Sequence, residues 1–128
     1  MIYGVHFLSS VVLKPSKAGA RLLGALDSSA RRLKRDLLVT CGAEGHPPDD
    51  PHSRGDAFDV RTHDLREEDK LILLREVMIE LSDGDNALDA PMPASGGLGT
   101  LHFWGWIEHP NEPNEHLHVQ VRKFTVYE

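Results

Sequence analysis

The chain carries two long stretches of helical period among several short stretches of strand period. Leu22, Leu23, Leu26, Ala30 and Leu33 recur at three- or four-residue steps after Pro15 and Ser16, which offer a helix start. Arg31, Arg32, Lys34 and Arg35 crowd the last turn, where positive charge suits the helix dipole. A second helix is predicted over about Leu65–Leu81, capped by Asp64. Leu71, Leu74, Met78 and Leu81 would form its buried face, with Glu67, Glu68, Lys70, Arg75 and Glu76 outside. Gly4–Leu13, Leu37–Cys41, Asp56–Thr62, Leu101–Glu108 and His116–Val121 read as strands.

The strand near residue 60 alternates in two sets. Ala57, Asp59 and Arg61 point one way, Phe58 and Val60 the other. In the last strand His116, His118 and Gln120 share a face opposite Leu117, Val119 and Val121. The Gly-, Pro- and Asp-rich run GAEGHPPDDPHSRG must be loop, and Ser82–Gly99 shows no period and reads as a long loop. The order is roughly β-α-β-β-α-β-β. It predicts one α+β domain over residues 1–128, a small, largely antiparallel sheet with two helices packed on it.

Composition narrows the function. Lys plus Arg number 14 against 20 Asp plus Glu, a net charge of −6, which disfavours a nucleic-acid partner. No apolar run is long enough to span a bilayer, so no membrane insertion is expected. The first residues, MIYGVHFLSSVVLK, lack a signal-peptide pattern, so the expected location as synthesised is the cytoplasm. Cys41 is the single cysteine and precludes an internal disulfide. It reads as a packing residue, with a cysteine–histidine nucleophile pair as the minor reading. Trp104 and Trp106 read as packing residues too.

Histidine is in excess, with 8 in the chain and most of them in 46–63 and 102–118. His52 ends a loop, and Asp59 follows seven residues later inside a strand. A carboxylate among apolar strand neighbours needs a charged partner or a metal. His116-Leu-His118 presents two imidazoles on one strand face. Zinc accepts three N/O ligands and keeps a fourth position open, and His52, Asp59 and His118 would make that set. Spacing alone leaves the alternative open: an ion-paired carboxylate and a solvent-facing His-x-His.

The segment HSRGDAFDV resembles the His-x-x-Gly-x-Ala-x-Asp motif of the zinc D-Ala-D-Ala carboxypeptidase and L-Ala-D-Glu endopeptidase family, whose fold the Hedgehog signalling domain shares. NEHLHVQV is similar to that family's closing Glu-…-His-x-His strand, and FDVRTHDLREEDKLILLREV to its motif-to-helix segment. The likeness covers about residues 20–122. It implies zinc held by His52, Asp59 and His118, and hydrolysis of peptidoglycan stem peptides by a monomer, encoded by a bacterium or a phage and released to the cell wall. It also implies a general-base glutamate. Glu115, three residues before His118, is the first candidate, and Glu112, six before it, is the second. Strand alternation argues mildly against Glu115, because three residues reverse the face, but Glu115 sits at a strand entrance, where alternation need not hold. His116 would stabilise the oxyanion or orient substrate. The family's substrate-binding arginine is missing from the loop CGAEGHPPDDP, which leaves His46 or Arg54 for that role. A non-catalytic, zinc-stabilised binding module is the alternative.

Overall fold

The computed structural model describes residues 3–82, 91–94 and 96–122. It is an α+β arrangement in which two helices cover one face of a seven-stranded, mostly antiparallel sheet. The strands are β1 (Val5–Phe7), β2 (Leu37–Cys41), β3 (Ala57–Arg61), β4 (Met92–Ala94), β5 (Gly97–Gly99), β6 (Phe103–Glu108) and β7 (His116–Val121). Their order across the sheet is β1-β2-β3-β7-β6-β5-β4. Only β1 and β2 run parallel, joined by helix α1 (Lys17–Leu33) as a crossover.

The sheet is larger than the small sheet expected. The hairpin β4–β5 lies inside the stretch read as a loop, of which 83–90 and 95 are outside the described residues. Its strands, Met-Pro-Ala and Gly-Leu-Gly, have poor strand propensity and no alternation, so pairing with β6 holds them. Gly97 fits because a Cβ there would lie 2.0 Å from the Gly105 carbonyl oxygen. The expected first strand shrinks to three residues at Val5–Phe7.

Helix α1 starts where Ser16 caps it, the hydroxyl accepting from the Gly19 amide at 3.0 Å. It ends on Lys34 in the left-handed conformation at φ 55°. Helix α2 (Glu67–Leu81) begins after Arg66 instead of being capped by Asp64, and Glu67, Glu68 and Asp69 place negative charge in its first turn. Its buried stripe is Lys70, Leu73, Leu74, Val77, Met78 and Leu81. The expected face therefore sits rotated: Leu71 is 66% exposed, and Lys70 points inward.

The core lies between helices and sheet. Leu22, Leu26, Leu73 and Met78 meet Val39, Phe58, Val60, Phe103, Leu117 and Val119, all essentially inaccessible. Strand alternation then sends Asp59, Trp106, Glu108, His116 and His118 to the other face, where the chemistry collects, and a register shift in β2 between Val39 and Cys41 sets Cys41 opposite Asp59.

Candidate metal centre

The loop between β2 and β3 is built to deliver His52. Asp50 caps a 3-10 turn, Pro51–Arg54, and its Oδ1 accepts from the His52 amide at 2.9 Å. Pro51 at the first position has its φ preset. Gly55 closes the turn at φ 82°, and a Cβ there would approach the Lys14 carbonyl oxygen to 2.7 Å. A side chain at this position meets both strain and a backbone clash. Asp56 then ties the exit to the start of α1 by accepting from the Ser16 hydroxyl.

Asp59 and His118 are direct neighbours across the β3–β7 ladder. His52 Nε2 lies 3.3 Å from His118 Nδ1 and 3.4 Å from Asp59 Oδ1, and the last two atoms are 2.9 Å apart. The three expected ligands, up to 66 positions apart in sequence, thus meet at one point. His52 and His118 are buried, and Asp59 is half-buried.

The second nitrogen of each ring decides what that point can hold. His52 Nδ1 faces the Gly42 carbonyl oxygen at 3.1 Å, an obligate acceptor, so this ring carries its proton on Nδ1. His118 Nε2 faces Gln120 Oε1 at 2.8 Å, and the Gln120 amide nitrogen donates to the Val121 carbonyl, which fixes the amide's orientation. The His118 proton therefore sits on Nε2. In these tautomers two imidazole lone pairs and a carboxylate oxygen converge on a point that can take a cation, and without one a proton shared between His118 Nδ1 and Asp59 Oδ1, 2.9 Å apart, fills the same place. Zinc ligands at about 2.0–2.1 Å in tetrahedral geometry stand about 3.3–3.4 Å apart, which the two spacings from His52 match, while His118 Nδ1 and Asp59 Oδ1, now 2.9 Å apart, would open by about half an ångström. The residues fit zinc or a similar divalent ion. The hydrogen bonds to Gly42 and Gln120 are the outer contacts that orient ligating histidines.

The ion-free electrostatics agree. Burial works against ionisation of Asp59, but His118, His52 and the charge of His116 outweigh it and hold the carboxyl far below its ordinary value. Burial likewise opposes a charge on His118, yet Asp59 and Gln120 raise its pKa.

The other expected residues divide. His116 belongs to the cluster: its Nε2 is 3.6 Å from Asp59 Oδ1, and its Nδ1 meets the Asn114 carbonyl at 2.9 Å. His46 stacks on the His52 ring, centroids 4.2 Å apart, with its Nε2 2.9 Å from Cys41 Sγ. Arg54 stays in its own loop, half-exposed, bonded to Asp56 and the Asp49 carbonyl. Glu112 is exposed and pairs with His109 at 3.3 Å.

Glu115 is not brought to the cluster. Its carboxylate accepts from the Thr62 hydroxyl at 2.8 Å, from Lys70 Nζ at 2.9 Å and from the Asn111 amide at 2.8 Å. It is 2% exposed and faces α2, because three residues along β7 from His118 reverse the side of the sheet. Burial pushes its pKa up, but the Asn111 amide, Lys70 and Thr62 prevail and hold it below the ordinary glutamate value. This also explains Lys70: its hydrocarbon stem is buried and its ammonium reaches Glu115 and Glu67.

The carboxylate beside the cluster is Glu108. It pairs with His116 across β6–β7. Its Oε1 lies 3.6 Å from His118 Nδ1, its Oε2 3.5 Å from His116 Nε2, and the Trp106 indole donates to Oε1 at 3.1 Å. The signal was present in the sequence as alternation, since Trp104, Trp106 and Glu108 share one face of β6, but it required knowing that β6 pairs with β7. Arg61 was also passed over. It follows Asp59 on the same face of β3 and lines an open cleft of about 360 Å³ with Thr40, His63, Asn114 and His116. Comparison with protein-family models, with curated proteins and with solved structures finds no match to this chain.

Proposed function

We propose that this protein is a zinc-dependent peptidase that hydrolyses peptide bonds in bacterial peptidoglycan stem peptides, working as a monomer on a Hedgehog/DD-peptidase-like fold. The observation that carries the reading is the convergence of His52 Nε2, Asp59 Oδ1 and His118 Nδ1 at zinc-ligand spacing, each imidazole bonded through its other nitrogen so that a lone pair faces the ion. The substrate class rests on the resemblance of HSRGDAFDV and NEHLHVQV to the cell-wall peptidases. On this reading the protein acts at the cell wall, as a phage-encoded lysin does.

Zinc, when bound, supplies Lewis acidity that polarises a carbonyl and makes water a better nucleophile near neutral pH. The proton work falls to Glu108. Held by Trp106 and facing the ligand histidines, it can take a proton from an attacking water and return it to the leaving amine. His116 lies on the same side and is placed to donate to a developing oxyanion. Arg61 at the cleft offers a cation to a substrate carboxylate.

The test is incubation of zinc-loaded protein with purified muropeptides, with new amino termini identified by mass spectrometry. Glu108→Gln is expected to lower the rate by about 10²–10⁴-fold while zinc stays bound. Cleavage by that variant at the unaltered rate would remove Glu108 from the mechanism. One observation favours a second reading: Glu115, the glutamate that matches the family's base by spacing, is locked in a structural network. A zinc-loaded protein that cleaves no stem peptide is then the non-catalytic binding module.

A further inference from the structure

Beside the first cluster lies a second group of ligand atoms, two of whose three residues hydrolysis does not use. Cys41 ends β2 directly opposite Asp59, which places its thiol on the same face of the sheet. Cys41 Sγ is 2.9 Å from His46 Nε2. The His46 ring stacks on His52 with centroids 4.2 Å apart and planes 9° from parallel. One ligand atom from each of Cys41, His46 and His52 lies within 4.8 Å of the other two. His52 therefore belongs to two donor sets, one of N, N and O, the other of S, N and N.

We infer that Cys41, His46 and His52 form a second metal site, selective for thiophilic ions, which competes with the first site for His52. Three features of the structure support it. Thiolate is a soft ligand and favours soft ions, whereas Asp59 is a hard one, so the two sets sort ions by type. The loop 42–50 that carries His46 holds no helix or strand, so His46 can leave the stack by loop torsions alone. Besides Cys41 and the His52 ring, Asp50 lies near it, with Oδ2 3.8 Å from His46 Nδ1.

The chemistry balances simply. The neutral thiol carries one proton. An incoming divalent ion replaces it, the proton leaves to solvent, and the sulfur becomes a thiolate ligand. With metal–sulfur and metal–nitrogen distances of about 2.3 and 2.0–2.1 Å, the Sγ to Nε2 spacing opens from 2.9 Å to about 3.6 Å. His52 Nδ1 is committed to the Gly42 carbonyl, which leaves Nε2 for either ion. One lone pair binds one ion, so the two sites exclude each other. A thiophilic ion at the second site takes a ligand from the first.

This inference stands apart from the peptidase reading, because nothing in it requires peptide cleavage. The probe is Cd²⁺ added to the full-length, zinc-free chain, read by the near-ultraviolet thiolate-to-cadmium charge-transfer band. The band is expected to saturate at one ion per chain, with one proton released, and to vanish in Cys41→Ser. His46→Ala should weaken Cd²⁺ binding by about 10–100-fold, in the range that loss of a supporting ligand costs a metal site. Asp59→Asn, which disables only the first site, should leave the band intact. In the unaltered chain zinc should shift the Cd²⁺ titration to higher concentration, and in Asp59→Asn, where zinc competes only at the thiolate site, that shift should shrink. Absence of the band overturns the inference, and so does a band indifferent to His46→Ala. A band lost in Asp59→Asn would make Cys41 a fourth ligand of the first site. Two ions bound at once, each at full affinity, would disprove the sharing of His52.

Discussion

Replacing two glutamates in turn separates the structural carboxylate from the chemical one. Glu115 is 2% exposed and serves three donors: the Thr62 hydroxyl, the Lys70 ammonium and the Asn111 amide. In Glu115→Gln one oxygen remains, and the new amide group turns N–H bonds toward donors already in place. Each intramolecular hydrogen bond contributes about 1 kcal/mol net, and an unsatisfied buried donor costs about 1–3 kcal/mol. Loss of two of the three contacts therefore destabilises by about 3 kcal/mol. For a chain of this size each kcal/mol moves the melting midpoint by about 3–5 °C, so a fall of about 10 °C is expected. Among the described residues the half-buried Glu108 pairs with Trp106 and the cluster histidines, so Glu108→Gln should shift the midpoint by no more than about 2 °C. Melting by circular dichroism and muropeptide hydrolysis below both midpoints read the two effects separately. The expectation is a cold-active, heat-labile Glu115→Gln and a stable, inactive Glu108→Gln. A Glu115→Gln that melts like the unaltered protein and cleaves nothing would refute the assignment of roles.

Further outcomes follow from the same geometry. Because the folded state holds the Glu115 carboxyl below its ordinary value, it binds fewer protons there than the unfolded chain does. The resulting stability is complete above the ordinary glutamate value and is lost as pH falls through the lower folded one, so the acid limb of the stability curve should be shallower in Glu115→Gln, as measured by urea unfolding at stepped pH. Burial first, then Asp59, pushes the Cys41 thiol up to about 12. Iodoacetamide should therefore label the folded, ion-free protein at neutral pH at least about a hundredfold more slowly than the urea-unfolded chain, and equal rates would contradict the burial of this thiol beside Asp59. Gly55→Ala meets a left-handed backbone and the Lys14 carbonyl. It should lower stability by about 1–3 kcal/mol and weaken zinc binding together, because the same turn positions His52, and an unaffected zinc affinity in calorimetry would uncouple the two.

Much of the architecture could be read from residue pattern, and the exceptions have physical causes. Leu37–Cys41 and His116–Val121 were bounded correctly because apolar runs and strict alternation leave little choice. Ser16 announced α1 through its hydroxyl. In α2 the lysine at position 70 hid the true stripe, since a long side chain can be buried to its ammonium when a partner such as Glu115 waits beyond. The β4–β5 hairpin carried no local signal, as its pairing comes from β6 and its glycines serve close approach. The convergence of His52, Asp59 and His118 was legible because a short turn and a strand register fix these residues. Glu108 was not, because its nearness to His116 exists only once β6 and β7 pair. Glu115 matched by spacing alone, and strand alternation overrode the match.

The most direct measurement is zinc content after dialysis against buffered zinc, by elemental analysis on the intact chain and on Asp59→Asn, His118→Ala and His52→Ala. The account predicts one zinc per chain, with affinity falling by at least about a hundredfold in each variant. A chain that retains no zinc, or one that retains it undiminished without Asp59 and His118, would contradict it.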